Sequence, residues 1–244
     1  MSNNVEQNDT IIQEILDSIP QVDTMQVKLP SLGKNLYGLK SEYVTLRAMT
    51  FDDEKALLRL KNKADAVNLL IARCVEEDLD PRELISQDKI FLVVNIRNLS
   101  IGSDYNISIT CGNCGNNDHL KVNVLDTFKC NYPEKPIEQE VEIELPVIKK
   151  KVVVRRATSQ ELEQPQEKLY DDIWRFVLSI EGISSGQFIY DIVNKLPRKD
   201  IHEIVKYMGC DEIGLDTRFM YTCSKCGARE ESDLTTQPDF FTMR

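Results

Sequence analysis

Cys111 and Cys114, and again Cys223 and Cys226, stand three apart, each pair followed directly by a glycine. Two thiolates at this spacing on a tight turn can chelate one metal ion from one side. Four such sulfurs complete a tetrahedral shell with Zn–S bonds of about 2.3 Å, the closed geometry of a structural zinc. One pair alone is a weak signal, whereas two matching pairs point to a single shared Zn2+ site. Sulfur in all four positions leaves no place for a water ligand, so the metal is expected to be structural rather than catalytic. A thioredoxin-like dithiol would need its pair at a helix N-terminus after a strand, and here a polar turn and a second strand follow instead. A scheme of two separate sites would recruit His119 and Cys130 to the first pair. It leaves only Cys210 near the second pair, one ligand short, and His119 is expected on the surface.

Other chemistry is thinly represented. The chain has two histidines, His119 and His202, and no plausible triad, Walker loop or G-x-G-x-x-G. The segment Leu29-Pro30-Ser31-Leu32-Gly33 reads as a turn rather than a phosphate cradle. These absences predict a protein that is not an enzyme. The formal net charge of −10, with a pI near 4.9, argues against duplex nucleic acid as the main partner. Lys149, Lys150, Lys151, Arg155 and Arg156 form a local basic strip, read as a solvated strand edge guarded by lysine. There is no run of 18 apolar residues and no basic-then-apolar leader pattern, so no membrane partner and a reducing cytoplasm are expected. Disulfides are not expected there.

The elements that must bring the cysteines together are legible from an internal repeat. Shifting the chain by 112 positions lays residues 101–115 on 213–227. Ile101, Gly102, Asp104, Thr110, Cys111, Cys114 and Gly115 then meet the same residue types. Knuckle chemistry alone does not explain the Ile-Gly-x-Asp that precedes each pair. Val122 meets Leu234, Phe128 meets Phe240 and Asp88 meets Asp200 at the same shift. An offset of 108 lays Val44–Thr50 on Val152–Thr158, each a β-rich run, an arginine and a threonine that starts a helix. Thr158 and Glu161 make a T-x-x-E capping box, and Thr50 and Asp53 hold the same places with a shorter acid.

The predicted fold is α+β, with internally duplicated strand–helix–strand repeats, each ending in a zinc knuckle and joined by one four-cysteine zinc site. The repeats span 27–128 and 148–244, with a linker at 129–147 and an N-terminal extension at 1–26. Helical stripes are predicted at Ala64–Glu77, at Asp88–Arg97, at Tyr170–Ile180 through Ile173, Trp174, Val177 and Leu178, and at Ile201–Met208. Cys74 and Cys210 fall in these contexts as buried, inert thiols. Tyr105–Thr110, Arg218–Thr222 and Leu120–Leu125 alternate like strands around the knuckles. Outside the repeats, Ile11, Ile12, Ile15, Leu16 and Ile19 line one side of a short helix. It is too short to stand alone, so it docks on the body or binds a partner.

The order of short motifs then resembles a known family. It runs from Leu29-Pro30-Ser31-x-Gly33 to Val44-x-Leu46-Arg47-x-x-Thr50, then Asp88-x-x-Phe91-Leu92 with Arg97, and Gly102-x-x-Tyr105. Two Cys-x-x-Cys pairs and Phe240-Phe241 complete it. Over residues 27–241 this resembles the baseplate hub assembly family of T4-type contractile-tailed phages. The resemblance implies a structural part or assembly chaperone of the tail baseplate hub, working with other hub or tail proteins. It implies a place in the host cytoplasm or in the virion, and it brings no catalytic residues. The rival expectation is a zinc-ribbon adaptor of transcription that binds nucleic acid or polymerase. That reading needs a basic face and an exposed aromatic near a knuckle, for which only the 149–156 strip and Tyr221 are available.

Overall fold

The computed structural model describes residues 12–15, 17–18 and 22–234. The fold is mixed α+β, with small antiparallel sheets of two or three strands. In the first half, β1 (Thr24–Lys28) pairs with β2 (Tyr43–Arg47), Val27 opposite Val44. Val44 and Leu46 point inward from β2 and are fully buried, as period-two alternation requires. Helices Phe51–Leu58, Lys63–Cys74 and Ser86–Ile101 follow. They pack Leu70, Ile71, Cys74, Leu92 and Ile96 against the hairpin to form one core. The helix expected over 64–77 stops at Cys74, because Val75 turns extended and bridges Leu46.

In the second half, β6 (Glu140–Glu144), β7 (Lys151–Arg155) and β8 (Val177–Ile180) form one antiparallel sheet in that order. The stretch 129–147, read as linker, therefore holds a strand of this sheet. The helical stripe expected over 170–180 is also corrected. A helix ends at Asp172, a 3-10 turn covers Ile173–Phe176, and Val177–Ile180 is strand. The open edge of β7 takes up this short apolar run, whose length suits a strand as well as a helix. Helices Gly186–Val193 and Arg198–Gly209 cover the sheet with Ile189, Val193, Ile204 and Met208.

Both expected capping boxes form, at Thr50/Asp53 and Thr158/Glu161. Each helix-capping acid also takes a two-pronged guanidinium from the strand before it. Arg47 reaches Asp53 at 2.7 and 3.1 Å, and Arg155 reaches Glu161 at 2.7 and 3.0 Å. Asp88 and Asp200 are fully buried near the starts of their helices. Asp88 accepts the Ser31 N–H at 2.9 Å, the Ser31 hydroxyl at 2.5 Å and the Tyr37 hydroxyl at 2.7 Å. Asp200 accepts the Val147 and Ile148 N–H groups at 2.7 and 3.3 Å. Each aspartate thus pins the turn between the first two strands of its own half. The turn Leu29–Gly33 is buried, held by a carboxylate and not open to a phosphate.

The halves meet along several contacts. Lys89, buried on the helix Ser86–Ile101, donates to Ser159 and pairs with Glu163 at 2.6 Å. Strand β5 (Cys130–Asn131) pairs with β9 (Gly214–Leu215). The basic strip does not form one face. Lys151 pairs with Glu142, Arg155 with Glu161, and Arg156 is buried with its guanidinium on the Tyr207 carbonyl. At the other end, Ile12 and Ile15 lie on a helical stretch and are 54% and 57% exposed. Ile11, Leu16 and Ile19, and the pair Phe240-Phe241, lie outside the described residues. Among the described residues, no helix is long and apolar enough to cross a membrane.

Candidate metal centre

Two hairpins carry the cysteines. Strand β3 (Asp104–Thr110) pairs with β4 (Asn117–Asn123), and β10 (Arg218–Thr222) pairs with β11 (Arg229–Asp233). The register at the tips is the same under the 112 shift, Thr110 opposite Asn117 and Thr222 opposite Arg229. The expected strand Leu120–Leu125 ends at Asn123, whose side chain caps a short helix Val124–Thr127. Tyr105, Ile107, Ile109, Val124, Phe128, Tyr221 and Leu234 form a shared apolar floor beneath both tips. Within it the Phe128 and Phe219 rings meet edge to face at 6.0 Å.

Each tip closes in the same way. The Cys111 N–H donates to the Asn116 carbonyl at 2.8 Å and the Gly115 N–H to the Cys111 carbonyl at 2.9 Å. In the second tip, Cys223 donates to Ala228 at 2.9 Å and Gly227 to Cys223 at 3.0 Å. Gly115 and Gly227 have φ of +69° and +70°, and a Cβ on either would meet nothing within 4 Å. Glycine is required here by backbone handedness alone.

The tips face each other and bring all four cysteines together, every pair of sulfurs within 4.8 Å. Cys111 Sγ lies 3.7 Å from Cys226 Sγ, and Cys114 Sγ lies 3.7 Å from Cys223 Sγ. A disulfide needs sulfurs about 2.05 Å apart, so these are not bonded pairs. A tetrahedron with metal–sulfur bonds of about 2.3 Å has edges of roughly 3.8 Å, which the two cross-knuckle separations match. The residues therefore fit a metal ion, and the soft all-sulfur donor set suits zinc or iron. Cys226 is drawn down to about 6, chiefly by the Asn113 side-chain amide at 3.5 Å and then by the Ala228 N–H. Burial pushes Cys111 up to about 12.

Two carboxylates outside the cysteine motifs complete the arrangement. Glu230, on β11, accepts the Gly112 N–H at 3.1 Å and the Asn113 N–H at 3.2 Å, with the Cys111 thiol at 3.4 Å. Asp118, on β4, accepts the Ser224 N–H at 3.1 Å, the Ser224 hydroxyl, the Tyr221 hydroxyl at 3.0 Å and the Asn116 amide at 2.9 Å. Each acid reaches from its own hairpin to the opposite tip. The signal was present, since each follows its first cysteine by seven positions (111 to 118, 223 to 230) and the two are 112 apart. Tyr221, the aromatic an adaptor would expose, is buried on Asp118.

The remaining thiols stand apart from this centre. Cys74 and Cys210 are fully buried, and burial raises them to about 11 and about 12. Cys130 sits half-buried in β5, and His119 is exposed with Ser108 at 2.9 Å. Neither His119 nor Cys130 joins the four-sulfur cluster. A family model described as T4 bacteriophage base plate protein matches residues 22–242. No curated protein and no solved structure matches the chain.

Proposed function

Since the chain belongs to the T4 bacteriophage base plate protein family, we propose that it is a non-catalytic structural part or chaperone in assembly of the baseplate hub. In this reading one zinc ion, held by Cys111, Cys114, Cys223 and Cys226, fastens its two halves. The observation that carries it is the position of the sulfurs, two from each half at the edges of one tetrahedron. Such a shell leaves no position for substrate or water, so the ion braces the fold. Zinc is favoured over iron because the role asks only for a fixed tetrahedron and no electron transfer. Membership of the family implies contact with other baseplate or tail proteins and suggests a component of the virion tail.

The halves are two copies of one unit. Support comes from paired features at near-constant spacing: the arginine–acid forks, the buried Asp88 and Asp200, and the two knuckles. The second unit begins at β6, which shortens the linker to 129–139. The apolar residues Ile11, Ile12, Ile15, Leu16 and Ile19 supply a partner contact, which the exposure of Ile12 and Ile15 supports.

The test is affinity capture of the tagged chain from infected cells, with mass spectrometry of assembly complexes and of finished particles. Hub or tail proteins should co-purify, and fewer of them with a chain that lacks residues 1–22. Capture without any tail protein would overturn the assembly role. Undiminished capture by the shortened chain would place recognition elsewhere.

A further inference from the structure

The reciprocal carboxylates do something that the sulfurs cannot. Asp118 and Glu230 each take a backbone N–H immediately after the first cysteine of the other knuckle, Ser224 and Gly112 respectively. Every one of these bonds joins protein to protein, and each is charge-assisted, the stronger class of hydrogen bond. Asp118 is 8% exposed, so its bonds compete little with water. Asn116 adds a side-chain contact to Ser224 at 3.4 Å, across the same seam. Tyr221 and Leu234 close the apolar floor below.

We infer that Asp118 and Glu230 are positioning residues that form a metal-independent clasp between the knuckles. The clasp sets the four sulfurs in binding geometry before a cation arrives and governs how long the cation stays. This rests on the metal reading for the second role only, because the clasp itself needs no cation. It reverses the usual order for small zinc modules, in which the metal folds the site. Here the fold presents the site and the metal locks it. Hydrogen-bonding partners of metal ligands generally change affinity by roughly 10–100-fold when removed.

The experiment uses the full chain and its Asp118→Asn, Glu230→Gln and Glu230→Asp variants. Co2+ serves as the spectroscopic probe, and release of the metal to an excess of chromophoric chelator is timed. The expected result is an unchanged thiolate-to-cobalt band with release about 10-fold or more faster in Asp118→Asn and Glu230→Gln. Glu230→Asp should partly restore the slow rate because it keeps the charge. A general loss of stability would weaken the band and would not separate Glu230→Gln from Glu230→Asp by release rate. Unfolding temperatures of the metal-free proteins give the independent arm, where both amide variants should melt below the metal-free wild type. Release rates within about twofold of wild type and equal metal-free melting would overturn the clasp. A wild-type chain that takes up no Co2+ or Zn2+ overturns the metal site instead, while the metal-free melting still decides the clasp.

Discussion

On its open side, β2 in the first half meets no strand but only a short extended turn. Val75 bridges Leu46, the Glu76 N–H donates to the Thr45 carbonyl at 3.0 Å, and the carboxylate of Glu77 takes the Thr45 N–H at 2.8 and 2.9 Å. On the corresponding side, β7 in the second half meets the strand β8, Val154 opposite Val177 and Val152 opposite Ile180. The polar anchors do not differ in this way. Both halves have the capping box, the guanidinium fork and the buried aspartate that pins the turn. The contrast shows that a strand N–H must find an acceptor, while a ladder carbonyl or a side-chain carboxylate serves equally. The segment between the anchors is thus free to change from helix to strand. The anchors themselves are not dispensable, since each carboxylate satisfies several donors at once.

The largest effect should come from the sulfur cluster, to which each half brings two cysteines. Cys111→Ser and Cys223→Ser should each abolish metal content and lower the unfolding temperature by about 10 °C or more. This assumes a loss of several kcal/mol and a shift of about 2–4 °C per kcal/mol for a chain of this size. Metal analysis and calorimetry check it, and full metal retention by either variant would break the symmetry of the site.

A smaller effect should separate the two buried aspartates. Asp88→Ala strands three donors and Asp200→Ala two. Losses of about 3–5 and about 2–3 kcal/mol are expected at pH 7, read from urea midpoints at constant slope. Equal losses would mean that the Tyr37 hydroxyl contributes nothing to the first anchor.

The smallest effects lie at the forks and depend on pH. Burial alone would raise both carboxyls. Arg47, the Thr50 N–H and Arg73 hold Asp53 well below its ordinary range, and Arg155 with the Thr158 N–H lowers Glu161. A carboxyl depressed in the folded state contributes stability that is complete above its unfolded value, roughly 3.9 for Asp and 4.3 for Glu. That contribution disappears as pH falls through the folded value. Asp53→Asn should therefore cost about 2 kcal/mol and Glu161→Gln about 1 kcal/mol at pH 7. Both differences should shrink below about pH 4. Unfolding in urea at pH 7, 5 and 3 checks this, and differences independent of pH would show that the forks act through packing.

The sequence made some parts of this arrangement plain and hid others for physical reasons. The cysteines, the capping threonines and the hairpin runs were legible because local chemistry dictates them. The run Ile173-Trp174-Arg175-Phe176-Val177-Leu178 carries helical spacing, yet its second part is strand because β7 offers an unpaired edge, a fact about tertiary neighbours. Asp118 and Glu230 were passed over because a solvated acid after a turn is ordinary. Their 112-residue register is a signal that Asp88/Asp200 and Asp104/Asp216 carry as well, so it does not single them out. Asp88 and Asp200 stood out in the repeat, but nothing in one dimension reveals that they hold turns on strands far away in the chain.

The cross-knuckle sulfur pairs join positions 115 and 109 residues apart. Seen as a polymer, a metal link of that reach would remove roughly 4.7 kcal/mol of chain entropy from the unfolded state for as long as an ion is held there. Because this quantity grows only with the logarithm of loop length, a doubling changes it by about 0.6 kcal/mol. An insertion of a few residues between the knuckles, in an exposed turn such as 134–135, thus leaves the benefit of the link almost untouched. The intervening chain can drift in length while the two tips stay in register.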